Sequence, residues 1–166
     1  MRKILKYVGI IILIGLVVIQ FIRPERNLGN SPTAFSKDIS TIYPVSDSVQ
    51  LILQQSCYDC HSNKTSYPWY ANIQPVAWWL ADHVNEGKRE LNFSEFAGYS
   101  IRRQYRKLEE VNEQVKEGEM PLSSYTIIHK NAVLKDHQKL ALANWAEGIR
   151  EKMRTTYPPD SLIKKK

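Results

Sequence analysis

The chain has only two cysteines, and both lie within the stretch Cys57-Tyr58-Asp59-Cys60-His61. A Cys-x-x-Cys-His motif is the attachment pattern of c-type haem. Two thiols at this spacing on a helical turn can each form a thioether to one haem vinyl group, and the histidine that follows is then held as the proximal iron ligand. The sequence therefore predicts covalent haem binding through Cys57 and Cys60, with His61 bound to the iron.

Three other interpretations of this motif fit the rest of the chain less well. A structural zinc site needs four ligands around a tetrahedral metal, whereas the adjacent Cys60 and His61 would have difficulty binding one ion together. A thioredoxin-like dithiol requires a nearby βαβ pattern, and the residues around the motif do not alternate as strands do. A structural disulfide between the two cysteines is retained as an alternative in an oxidising compartment, but it gives no role to His61.

The N-terminal segment predicts a membrane helix. Residues 4–22 are apolar apart from Lys6 and Gln20, and a membrane span needs about 20 residues. A cleaved signal peptide has the same basic start and apolar run, but no small-residue cleavage site follows Ile22, which favours an uncleaved anchor. Early basic residues tend to stay in the cytoplasm, so the cysteines would lie outside, where thiols meet an oxidising environment.

The net charge of +6 is concentrated at the two ends of the chain. Residues 1–26 carry five basic and one acidic side chain, residues 150–166 carry six and two, and residues 27–149 carry twelve and fourteen. Because the central part is slightly acidic, the charge does not indicate binding to nucleic acid. We assign it to the flank of the membrane helix and to a solvated tail that ends in Lys164-Lys165-Lys166.

The order of these segments predicts a membrane-anchored all-α protein with four parts. Residues 1–23 are the predicted transmembrane signal-anchor, and residues 24–44 are a linker with proline, glycine and several serines but no clear periodicity. Residues 45–155 are the predicted haem-binding domain, and residues 156–166 are a basic disordered tail.

Helical periodicity supports three elements of this domain besides the helix that leads into Cys57. After Pro75 the sequence predicts a helix with one apolar face. Its residues are spaced at i, i+3, i+4 and i+7 and are Val76, Trp79, Leu80 and His83. An apolar stripe from Ile101 to Val115 predicts an amphipathic helix, on which Lys107 and other charged residues form a solvated face. A last helix over residues 134–149 is expected to pack against the helix before the motif.

The distal iron ligand has one favoured candidate and two alternatives. Gly118 is placed to end the amphipathic helix, and Met120-Pro121 follows in a short loop. The second ligand in cytochromes c is commonly a methionine, and the other two methionines lie near the ends of the chain. Met120 is therefore the predicted distal ligand, and the less favoured alternatives are His83 and His129.

Several sequence blocks together resemble a known family. They are Cys57 to Asn63, Tyr67-Pro68-Trp69-Tyr70, Pro75-Val76-Ala77-Trp78-Trp79, His83-Val84, Leu91-Asn92-Phe93-Ser94, and Met120-Pro121 through Tyr125 and His129. They resemble the bacterial haem-binding-domain family over about residues 40–150. The order of motif, Met-Pro loop and a last helix with Trp145 is also similar to the layout of class I cytochromes c.

The resemblance implies a cytochrome-c-like helical fold that holds haem c, and therefore iron, covalently. Such haem is attached in bacteria on the outer side of the cytoplasmic membrane, which implies the cytochrome c maturation machinery, a periplasmic haem domain and redox protein partners. We therefore predict a single-pass, membrane-anchored monohaem cytochrome domain that transfers single electrons. The alternative is a haem-based sensor or small peroxidase with a displaceable sixth ligand. No nucleophile and base can be paired from the sequence, so no catalytic residue is predicted.

Overall fold

The computed structural model describes residues 1–163 as a set of helices joined by short turns. The α-helices are α1 (Arg2–Ile19), α2 (Asp47–Ser56), α3 (Tyr58–His61), α4 (Val76–Glu90), α5 (Ile101–Glu117), α6 (Ser123–Thr126), α7 (Asp136–Thr156) and α8 (Pro159–Leu162). Short 3-10 helices cover Ile39–Thr41, Trp69–Asn72, Phe93–Gly98 and Lys130–Ala132. Helix accounts for 67% of the structure and the described residues form no strand, which confirms the predicted all-α class.

The first helix corrects the predicted membrane span. α1 begins at Arg2, so Arg2 and Lys3 belong to the helix instead of preceding it, together with Lys6, which the predicted span already contained. Its 18 residues therefore include three charged side chains, and a charged side chain is costly within the hydrocarbon core of a bilayer. Within residues 1–163, no helix combines the length and apolar composition needed to cross a membrane. The predicted transmembrane anchor is therefore wrong.

The end of α1 is joined to the helical domain by polar contacts. The side-chain amide of Gln20 donates to the carbonyl of Gln74 at 3.2 Å and accepts from the Gln74 backbone N–H at 3.0 Å. The indole N–H of Trp78 donates to the carbonyl of Ile22 at 3.1 Å. α1 itself buries no residue, so these contacts at its end connect it to the domain.

Residues 24–44, predicted as a linker, lie against the domain. Ile39 is fully buried in the main hydrophobic core, and the carbonyl of Ala34 accepts a 2.6 Å hydrogen bond from the Asn63 side chain. Leu28 and Lys64 form an isolated antiparallel bridge. Two buried apolar side chains, Ala34 and Ile39, and several hydrogen bonds dock this polar stretch, and neither feature produces a periodic pattern in the sequence.

Packing of α5 against α7 forms the centre of the core. Leu108 on α5 and Leu142, Ala146 and Met153 on α7 are almost completely buried. Arg150 joins the same two helices, because it pairs with Glu109 at 2.7 Å and with Glu147 on its own helix at 2.8 Å. α7 also packs against α2, as predicted from the periodicity of the last helix.

Two details of the predicted helix faces are wrong. Lys107 is only 6% exposed, although the charge pattern of α5 placed it on the solvated face, and it forms ion pairs with Glu110 and Glu90. The buried residues of α4 are Ala77, Leu80 and Val84. The predicted apolar face of α4 shares only Leu80 with that set, so most of it lies away from the core.

The C-terminal segment continues as ordered structure after α7. Leu162 in α8 is 4% exposed and belongs to the main core, whereas the sequence predicts a disordered tail from residue 156. The Lys164-Lys165-Lys166 part of that prediction lies outside the described residues.

Candidate functional site

The Cys-x-x-Cys-His motif forms a single helical turn directly after α2. α2 ends at Ser56 and α3 follows at Tyr58–His61. The carbonyl of Cys57 accepts hydrogen bonds from the backbone N–H groups of Cys60, at 3.2 Å, and His61, at 2.9 Å. Because α2 buries its apolar face in the core, it holds this turn at the edge of the core.

The imidazole of His61 is fixed by the backbone of a neighbouring loop. Its Nδ1 lies 2.9 Å from the carbonyl oxygen of Leu91. A carbonyl can only accept, so Nδ1 carries the proton and Nε2 keeps a free electron pair. Burial lowers the pKa of His61, so the ring is neutral at neutral pH. A neutral imidazole with Nε2 free is the form that binds a metal.

Two adjoining cavities lie beside this turn. One has a volume of about 320 Å³ and the other about 270 Å³. Residues common to both walls are Ser56, Cys57, His61, Glu90, Met120 and Pro121. The larger cavity is lined by the apolar side chains of Phe93, Val111, Leu134 and Leu142. The buried side chain of Lys107 also lines it. Mostly apolar walls with a few polar groups are typical of a cofactor site.

Both cysteines are free thiols at these cavities. Burial, followed by the nearby Cys60, raises the pKa of Cys57 to about 12. Burial, followed by the charge of Asp59, raises the pKa of Cys60 to about 11. Both groups are therefore protonated at neutral pH. They are one helical turn apart and face the same space as His61.

The methionine predicted as distal ligand lies at the same cavities. α5 ends at Glu117 and is followed by Gly118, which has the left-handed φ of 79° expected of a helix terminator. The N–H groups of Glu119 and Met120 then both donate to the carbonyl of Gln114, at 3.0 and 3.1 Å. This turn directs the chain back towards the motif. Met120, in contact with the core, lines both cavities together with His61.

The two histidine alternatives have different surroundings. His83 lines the smaller cavity, with its Nδ1 2.8 Å from the carbonyl of Trp79. His129 lines neither cavity. Its Nε2 lies 2.7 Å from the Tyr70 hydroxyl, and its ring stacks on Tyr125 with centroids 4.2 Å apart. The structure thus brings Met120 and His83 to the cavity walls and leaves His129 outside both linings, stacked on Tyr125, which lines the smaller cavity.

Met153, the other methionine of the helical domain, is not a competitor for this site. Its side chain is 1% exposed within the main core, and it lines neither of the two cavities.

Sequence reasoning did not find the contacts of Asp59, which stands between the two cysteines. The phenol of Tyr125 donates to Asp59 Oδ2 at 2.7 Å, and the N–H of Ser66 donates to Oδ1 at 2.9 Å. Burial, and then its hydrogen bond to Asp59, raises the pKa of Tyr125, which keeps the phenol protonated as the donor. Asp59 and Tyr125 are 66 positions apart, so no local sequence signal connects them.

A second contact without a sequence signal is the close approach of α4 to the motif turn. A Cβ atom added at Gly87 would lie 2.7 Å from the carbonyl oxygen of Cys60 and 3.1 Å from its Cβ. A glycine inside a helix costs stability, and here it lets the α4 backbone pack directly on the turn that carries the thiols.

Gly87→Ala is expected to destabilise the protein by about 1–3 kcal/mol, because overpacking must displace backbone atoms of the motif turn. Gly148→Ala is the matched control, since Gly148 also lies inside a helix and an added Cβ would meet no atom within 4 Å. The control should gain up to about 1 kcal/mol from helix propensity. Urea unfolding of both variants measures the difference, and similar shifts in the two would contradict this packing.

The arrangement of donors fits a covalently held haem. Two thiols on one turn, an imidazole with Nε2 free and a thioether sulfur are at the walls of two apolar cavities. Among residues 1–163, no group of three or more His, Cys, Asp or Glu side chains could hold a metal ion. The zinc interpretation therefore finds no ligand set in that part of the chain.

A family model described as a haem-binding domain matches residues 14–148, which include the motif, both cavities and Met120. No curated protein and no solved structure matches the chain.

Proposed function

The chain belongs to the haem-binding domain family, and we propose that it is a monohaem c-type cytochrome domain that transfers single electrons. The observation that carries this proposal is that both thiols, His61 and Met120 all line the smaller of the two cavities. Covalent attachment, iron ligation and a mostly apolar enclosure are then all supplied by one site.

Four side chains of this site would hold the group. Cys57 and Cys60 would each form a thioether to one vinyl group, His61 would bind the iron through Nε2, and Met120 would bind it through sulfur. Haem held in this way supplies an iron that changes by one electron between its ferrous and ferric states.

The surrounding residues prepare these ligands for that role. The Leu91 carbonyl fixes the tautomer and orientation of His61, and a hydrogen bond of this kind also makes a ligand imidazole more basic. Apolar side chains such as Phe93 and Leu142 line the larger cavity, and this lining would limit the contact of a bound haem with water. Met120, filling the sixth position, would keep small molecules from the iron, which suits electron transfer better than ligand sensing.

We further propose that the domain works in the periplasm of a bacterium. Covalent haem attachment of this type takes place outside the cytoplasmic membrane, and thiols of unmodified chains meet an oxidising environment there. This location makes the cytochrome c maturation machinery and soluble or membrane-bound redox proteins the proposed partners.

The proposal is tested by visible spectroscopy of the full chain, produced with a cytochrome c maturation system. We expect six-coordinate spectra in both oxidation states, and a ferrous spectrum that does not change when carbon monoxide is added. Rapid formation of a carbon monoxide complex in the unmodified protein would instead support a sensor or small peroxidase with a displaceable ligand.

A further inference from the structure

The two proposed iron ligands come from segments that are far apart in the chain. His61 belongs to the motif turn, whereas Met120 belongs to the segment of residues 119–129, which contains α6. The upstream end of that segment is tied to α5, because Glu119 and Met120 both donate to the Gln114 carbonyl. That contact fixes the segment to α5 but not to the motif turn.

A 2.7 Å hydrogen bond from the Tyr125 hydroxyl to Asp59 Oδ2 joins the segment directly to the motif turn. From this bond we infer that Tyr125 is a positioning residue, which holds residues 119–129 against the motif turn and so keeps Met120 beside His61. The inference rests on the proposed function for the role of Met120, but the contact itself is independent of haem.

Asp59 is a rigid acceptor for this bond. Its Oδ1 accepts from the N–H of Ser66 at 2.9 Å, and its carbonyl accepts from the Thr65 hydroxyl at 2.7 Å. With the backbone and one carboxylate oxygen held in this way, the remaining oxygen is directed at Tyr125. A hydrogen bond to a charged acceptor is stronger than one between neutral groups.

Tyr125 is equally fixed on the other side. Its ring is stacked on His129, with centroids 4.2 Å apart and planes 9° apart. His129 in turn contacts the Tyr70 hydroxyl at 2.7 Å through Nε2. Met120 thus lies between two tie points, the Gln114 carbonyl before it and the Tyr125 phenol after it. Removing the second tie point should free the segment without removing any proposed ligand.

The test compares Tyr125→Phe with the full-length wild type, using haem-loaded protein. Tyr125→Phe should speed amide hydrogen exchange in residues 119–129 about tenfold, which is the effect of one hydrogen bond to a charged group. It should also increase the fraction of protein that binds carbon monoxide about tenfold, while haem per chain stays unchanged. Asp59→Ala should speed the same exchange, and the double variant should be no faster than the more affected single variant, because both single changes remove the same bond between Tyr125 and Asp59.

Tyr43→Phe is the matched control. It also removes one donating hydroxyl, from a 2.9 Å bond to Gln104, but it leaves residues 119–129 untouched and should not change their exchange. Equal exchange in Tyr125→Phe and wild type would overturn the inference, whatever the haem spectrum. Carbon monoxide binding by the wild type would instead overturn the electron-carrier proposal, and faster exchange in Tyr125→Phe would still support the role of Tyr125.

Discussion

Changing Cys57 and Cys60 together to alanine is expected to abolish covalent haem attachment, because each thiol supplies one thioether. Each single variant should keep one thioether and therefore retain reduced staining. Haem staining after denaturing electrophoresis measures the difference, since only covalently bound haem stays with the chain. The two thiols are both at the cavity walls, so neither should be dispensable for full attachment.

The single variants also serve as controls for folding and production. A single variant that stains shows that loss of that thiol does not prevent folding or production, and a stain for total protein on the same gel shows whether the double variant is produced. Haem that remains bound to the denatured double variant would contradict the assignment, because the chain has no other cysteine. Full staining of both single variants would show that one thioether is sufficient for normal attachment.

Met120→Ala is expected to change the electronic properties of the site without detaching haem. Loss of the thioether should remove the weak long-wavelength iron–sulfur band of the oxidised protein and open the iron to carbon monoxide. The reduction potential should fall by a fraction of the roughly 0.8 V range that axial ligands control. Met120→His should restore six-coordination but not the potential, because a thioether favours ferrous iron more than an imidazole does.

Met153→Leu is the matched control for this prediction. Met153 is buried in the main core, and a change that conserves volume should cost less than about 1.5 kcal/mol and leave the spectrum unaltered. If Met120→Ala leaves the band and the potential unchanged while His83→Ala or His129→Ala alters them, the distal ligand is a histidine.

The sequence is most informative where chemistry depends on neighbouring residues. Cys57, Cys60 and His61 are fixed relative to one another by a single turn, so their spacing alone predicts their juxtaposition. Gly118 marks the end of α5 for an equally local reason, since its backbone needs a positive φ. Met120 follows at once, and its place at the cavity depends on that turn.

Contacts between distant segments leave no such signal. The bond between Asp59 and Tyr125, the Leu91 carbonyl on His61 and the approach of α4 at Gly87 each join parts of the chain that only the fold brings together. The burial of Lys107 is another case, because its charge predicts exposure while ion pairs with α4 and α5 carboxylates permit burial.

Hydropathy was least reliable at the N-terminus. A run of apolar residues from Ile4 predicts a membrane span, but counting them does not show where the helix begins. In the structure α1 starts at Arg2 and includes three basic side chains within its 18 residues.

The likeness to class I cytochromes c stays a prediction, since it rests on the order of motifs alone.

The central claim is that Cys57 and Cys60 hold one haem covalently, and a pyridine haemochrome spectrum of the purified full chain tests it most directly. The account predicts one haem per chain, with the spectrum of a haem whose two vinyl groups are both saturated, and retention of that haem after extraction with acidified acetone. Haem that is extracted and shows intact vinyl groups, or a chain without haem after production with the maturation system, would contradict it.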